Sequence, residues 1–305
     1  MPTSVEVPDR FAREVKRLLL LVALGGLAIV TAVAVAGFYL YRVHRFQTNV
    51  LASIEEVGGE GLDRSRFTEE VRAQLFAGDF DALEAQARAL RASRETYPNG
   101  VWKLTHFYDA LGAVDNPEGF AWEAAIAQAE AWTEAHPSSI APRIVLAELW
   151  IAYAWHANVA STDTDPSPSP TDEESLFEQR LGRADAVFAA AEEVREYCPH
   201  LAAAQLRLAV SARWPRESEV RVFDEAVARL ADYQPYYGLH LYYLEDFVEG
   251  VPGEWARESA LMATRPGGPE RYAQTVWFRG QRGEPRLDGV SWSLLKDGFR
   301  RLVAS

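Results

Sequence analysis

Four times along this chain a helix-period segment runs into an acidic residue, two variable positions and a proline, and a second helix-period segment follows. The four motifs are Glu95-Thr96-Tyr97-Pro98, Glu134-Ala135-His136-Pro137, Glu196-Tyr197-Cys198-Pro199 and Asp232-Tyr233-Gln234-Pro235. Proline cannot continue the helix before it, and its fixed φ suits the first turn of the next. Each motif therefore predicts a stop and a restart at a set angle. The prolines stand 39, 62 and 36 residues apart. Removing a loop of about 15–20 residues from the middle interval brings all three near the spacing of paired-helix repeats.

The segments between the motifs carry helical periodicity. Leu83, Ala87 and Leu90 share a face, as do Trp122, Ile126 and Ala129 in a segment that Asn116-Pro117 is expected to open. Phe177, Leu181, Ala184, Phe188, Ala191 and Val194 recur at three and four, and so do Val220, Phe223, Val227 and Leu230. Residues 144–157 are apolar nearly all round, which predicts a helix buried between others. Ala124, Ala125, Ala129 and Ala202 to Ala204 let neighbours approach closely. No stretch alternates with period two over a strand's length, so the fold class is all-α. Ser161 to Ser175 has no apolar side chain, three prolines and five acidic residues. Such a stretch cannot offset its ordering entropy by burial and reads as a disordered loop.

Residues 18–41 contain no charge, and 24 residues of helix span roughly 36 Å, enough for a hydrocarbon core of about 30 Å. Tyr39 and Tyr41 sit at one end, and Arg13, Lys16, Arg17, Arg42 and Arg45 bracket the run. Ala34-Val35-Ala36 resembles a signal cleavage site, but the run exceeds the roughly 7–15 residues of a signal's apolar region. The expectation is a retained single-pass anchor in the cell inner membrane. Four basic residues before it and two close after place residues 1–17 in the cytoplasm and the larger part outside it. Ala28, Ala32 and Ala36 form a small-residue ladder that permits a homodimer through the span. Residues 42–66, with Gly58, Gly59 and Gly61, form a joint, and residues 67–305 form the helical-repeat domain.

The helix–turn–helix pattern over about residues 67–250 resembles the tetratricopeptide class, an α-solenoid architecture. Gly78 to Glu84, Leu90 to Ser93, Gly100 to Leu104 and Phe107-Tyr108 resemble the opening of the bacterial domain-of-unknown-function family 4034. His136 to Ser139 with Tyr153 to Trp155, and Val290 to Phe299, are similar to later stretches of that family. The resemblance implies a helical-repeat fold, a bacterial source, and a further tyrosine–proline turn and helix after Val303. It implies no reaction.

Outside the first 45 residues the chain carries 25 Lys/Arg against 41 Asp/Glu, a balance that repels phosphate backbones and argues against nucleic acid. The six histidines have no metal-ligand spacing, and His136 and His200 read as turn residues beside the motif prolines. The glycine clusters lack the context of a phosphate loop. The lone cysteine, Cys198, reads as a buried thiol. No cofactor, metal or catalytic residue is expected. The candidate binding surface is the aromatic cluster of Tyr233, Tyr236, Tyr237, His240 and Tyr243, set against the alternative that these rings fill the fourth repeat's core. The functional expectation is a membrane-tethered scaffold that binds a protein or peptide. An envelope enzyme with a carboxylate pair and a structural, oligomerising spacer are the alternatives.

Overall fold

The computed structural model describes residues 63–304 apart from 98–99, 115–118, 161–169, 246–247, 265–267 and 282–288. The chain divides into two compact units, Met1–Ser65 and Arg66–Ser305, and the description below concerns the second. The 18–41 span, its alanine ladder, the glycine joint and the Asn116-Pro117 cap lie outside the described residues. Among the described residues no helix is long and apolar enough to cross a membrane.

The unit is all-α. Helical backbone over residues 63–77 (α1) is followed by α2 (Phe80–Ser93), α3 (Lys103–Leu111), α4 (Gly119–Ala135), α5 (Ala141–Ala160) and α6 (Pro170–Ala191). Then come α7 (Pro199–Ser211), α8 (Arg216–Arg229), α9 (Pro235–Tyr243), α10 (Glu254–Met262), α11 (Gly268–Gln281) and α12 (Trp292–Ala304). The motifs lie between α2 and α3, α4 and α5, α6 and α7, and α8 and α9. Pro199 and Pro235 stand at the first helical position of α7 and α9, where a missing N–H costs nothing. Pro137 does not open α5. It sits in the preceding turn, where Ser139 Oγ accepts from Ala141 N at 3.2 Å and starts the helix four residues later. The predicted loop at 161–175 is also shorter than expected. Helix α6 reaches back to Pro170, while 161–169 lie outside the described residues.

The odd-numbered helices pack in succession: α3 on α5, α5 on α7, α7 on α9 and α9 on α11. Each also packs against an even-numbered neighbour, and α3 reaches α7 as well. The chain thus gathers its odd helices inward. The motif turns close on one another in the same way. Gln234 Nε2 donates to Gly100 O at 2.6 Å, and Asp232 lies 3.8 Å from Arg94. Glu196 pairs with Arg91 and accepts from Ile140 N at 3.0 Å, so one motif acid ties α2 to the α4–α5 turn.

The main core runs from Val71 to Met262, and the expected faces line it: Leu83, Ala87, Leu90, Trp122, Ile126, Ala129, Leu181, Ala184 and Phe188 are buried. A smaller core holds α11 to α12 through Tyr272, Ala273, Val276 and Leu295. There Gly298 permits the close approach, because a Cβ at that position would lie 2.0 Å from Pro269 O and 2.7 Å from Ala273 Cβ. Gly298→Ala is expected to cost about 1–3 kcal/mol, since the clash with backbone outweighs the better helix propensity of alanine. Chemical denaturation and loss of amide protection confined to α11 and α12 measure it.

Candidate functional site

The tyrosine cluster is core and not surface, which corrects the surface expectation. Tyr233, Tyr236 and Tyr243 are fully buried, Tyr237 nearly so, and His240 is 5% exposed. Tyr236 OH donates to Pro199 O at 3.0 Å, Tyr237 OH to Ala231 O at 2.7 Å and Tyr243 OH to Trp214 O at 2.6 Å. Each hydroxyl spends its proton on a backbone carbonyl, as a buried tyrosine must. His240 Nδ1 lies 2.9 Å from Glu219 Oε1, and its ring stacks on Phe223 at 4.0 Å. Glu219 therefore replaces Val220 on the buried face of α8.

Tyr233 joins a different constellation, centred on Glu148 of α5. Glu148 Oε1 lies 3.0 Å from His200 Nε2 and 3.1 Å from Arg207 Nη1, both on α7. His200 Nδ1 lies 2.6 Å from Tyr233 OH, which accepts from Thr105 Oγ1 at 3.0 Å. An ionised carboxylate only accepts, so these bonds close with the imidazole proton on Nε2 and with Tyr233 donating to Nδ1. The chain Thr105 to Tyr233 to His200 to Glu148 then runs in one direction with every donor used once. Burial opposes charge on Glu148, but the neighbouring Arg207 and His200 overcome it and hold its carboxyl below the ordinary 4.5. Glu148 in turn raises the Arg207 guanidinium, against its desolvation. Arg207 also donates to Asp109 at 3.2 Å, tying α3 to α7. His200 is thus no turn residue. It lies in the first turn of α7, fully buried and stacked on Tyr108 at 4.5 Å.

Cys198 is 2% exposed, and burial pushes its thiol up from the ordinary 9.0, with Tyr108 OH 3.4 Å away. An uncharged thiol in that position packs and does not attack. The whole constellation joins three helices, α3, α5 and α7, to the turn before α9. Its sequence signal is specific in retrospect: Glu148 is the only Asp, Glu, Lys or Arg between Ile144 and Ala157. A lone acid in an all-round apolar helix must be paired inside.

An open concavity lies between α6 and α7. It is a groove of about 420 Å³ whose walls include Phe177, Leu181, Leu208 and Trp214, with Glu178, Asp185 and Arg213 also lining it. Trp155 closes on Phe177 edge to face at 5.2 Å and donates to Ser211 Oγ at 2.9 Å, which fixes that wall. Gly182 lines the same groove, with nothing within 4 Å of where a Cβ would stand. Sequence periodicity named Phe177 and Leu181 as core. It missed that one edge of their helix stays open. A second, smaller cavity of about 110 Å³ borders the outer side of Arg207, beside Gln234, Gly238 and Gln274. Among the described residues no grouping of three or more His, Cys, Asp and Glu has metal-holding geometry.

These features define, among the described residues, an all-helical array of successive helical pairs with a buried polar network and an open groove. No family model, curated protein or solved structure matches it.

Proposed function

We propose that this chain is a membrane-tethered helical-repeat scaffold of tetratricopeptide-like architecture that binds a protein or peptide segment in the α6–α7 groove. The groove carries the reading. It combines rigid aromatic and aliphatic walls with both signs of charge, the composition that recognises an amphipathic segment. The inward packing of α3, α5, α7 and α9 supports the helical-repeat architecture that the family-4034 resemblance implies. Residues 18–41 supply the tether, with residues 1–17 cytoplasmic and the repeat domain outside the cytoplasm.

Gly182→Trp tests the groove without disturbing the core, because the site is exposed and open. In-cell crosslinking and affinity purification are run on the full chain, the Gly182→Trp chain and residues 1–57 alone. A partner is expected with the full chain only, with the melting temperature of the variant unchanged. Equal capture by Gly182→Trp removes the groove from the account, and capture by residues 1–57 assigns the partner to the anchor.

A further inference from the structure

We infer that the outer face of α12 is a docking surface for anionic lipid headgroups. The inference rests on the tethered reading only for the nearness of a bilayer. The charge of this chain is segregated. Residues 265–305 carry eight Lys/Arg against four Asp/Glu, whereas residues 46–264 carry 17 against 37. An acidic surface is repelled by anionic headgroups, so within the repeat domain contact falls to residues 265–305.

Helix α12 arranges that charge on a strip. Trp292 and Phe299 are seven residues apart, on one line of the helix, and are 59% and 37% exposed. Lys296 lies between them and Arg300 beside them, both exposed, whereas Arg301 falls on another side of the helix, bonded to Asp297 at 3.0 Å. Leu295 and Gly298 occupy the neighbouring side, against α11. Aromatic rings flanked by long basic side chains on one helix face match the headgroup boundary: the rings sit among the upper acyl carbons while the cations reach phosphate. The outer side of a helix is convex, which suits a planar bilayer better than a folded ligand.

The test places an environment-sensitive fluorophore on Ser293→Cys in a Cys198→Ser background, in the full chain reconstituted into nanodiscs. The emission is expected to shift to the blue in discs containing phosphatidylglycerol and not in phosphatidylcholine discs. The double variant Lys296→Glu, Arg300→Glu is expected to abolish the shift. Emission independent of lipid composition, or a shift that survives the double reversal, overturns the inference. A shift that follows protein concentration without lipid also overturns it and assigns the face to a second copy, whose acidic body would supply the opposite charge. Co-elution with the discs reports the tether separately. If the chain does not co-elute, the same fluorophore is read on preformed vesicles of the two compositions, with the same criteria.

Discussion

Replacing Arg207 with methionine is expected to destabilise the fold by about 2–4 kcal/mol, because Glu148 is buried while the 35% exposure of Arg207 lets water screen part of the pair. The reason is the neighbour it leaves behind. Glu148 is 1% exposed, and its carboxylate stays ionised in the interior because Arg207 and His200 face it. Without Arg207 it must either protonate or remain a buried charge with a single partner, and both cost free energy. Glu148→Gln is expected to cost less at neutral pH, because the amide leaves no charge inside and Arg207 keeps Asp109. The two variants also differ in acid. The folded-state carboxyl of Glu148 lies below its ordinary 4.5, so its contribution is present above that value and is lost as the pH falls through the lower, folded one. Glu148→Gln should therefore flatten the acid limb of stability that the parent chain shows below about pH 4.5. Urea titrations from neutral to acid pH check both statements. An Arg207→Met chain as stable as the parent would mean that Glu148 is not held as a charge.

Trp132→Ala is expected to cost a similar amount, about 3–5 kcal/mol, for a different reason. Trp132 is fully buried in α4, donates from Nε1 to Glu84 Oε1 at 3.0 Å and stacks over Phe80 at 6.2 Å. Truncation removes a large apolar side chain, opens a cavity between α2 and α4, and leaves Glu84 without its donor at 7% exposure. Trp132→Phe keeps most of the volume and loses the hydrogen bond, so a smaller cost of about 1–3 kcal/mol is expected. A lower denaturation midpoint at unchanged slope in both variants, larger for alanine, is the signature.

The difference between these two sites shows what the sequence discloses and what it hides. Trp132 continues the face marked by Trp122, Ile126 and Ala129, and period alone places such residues inside. The same is true of Leu83, Ala87 and Leu90. Pro199 and Pro235 likewise open helices because proline chemistry is local. Pro137 departs from that rule because Ser139 and Pro142 offer a second start within a few residues, and the chain takes the later one. The acids at 172–174 read as loop composition, yet their backbone is helical, in a helix opened by Pro170.

The tyrosines hide more, because their environment is made by distant parts of the chain. Tyr233 is sealed by Thr105 and by Trp102, whose ring meets it edge to face at 5.2 Å. Nothing near Tyr233 in sequence announces that the fourth motif folds against the first. Glu219 is similar: it reads as an exposed acid of the first turn of α8 until His240, 21 residues on, takes it inside. The α6–α7 groove is a space left between helices, and spacing within one helix cannot report it.

The central proposal is that this groove is where a partner sits, and site-directed photocrosslinking tests it most directly. A photoreactive amino acid is placed at Asp185, which lines the groove, and separately at Asp224, exposed on α8. The account predicts one discrete adduct from position 185 in cells, absent from position 224 and lost when Gly182→Trp is added. The same adduct from both positions, or one from 185 that survives Gly182→Trp, would contradict it.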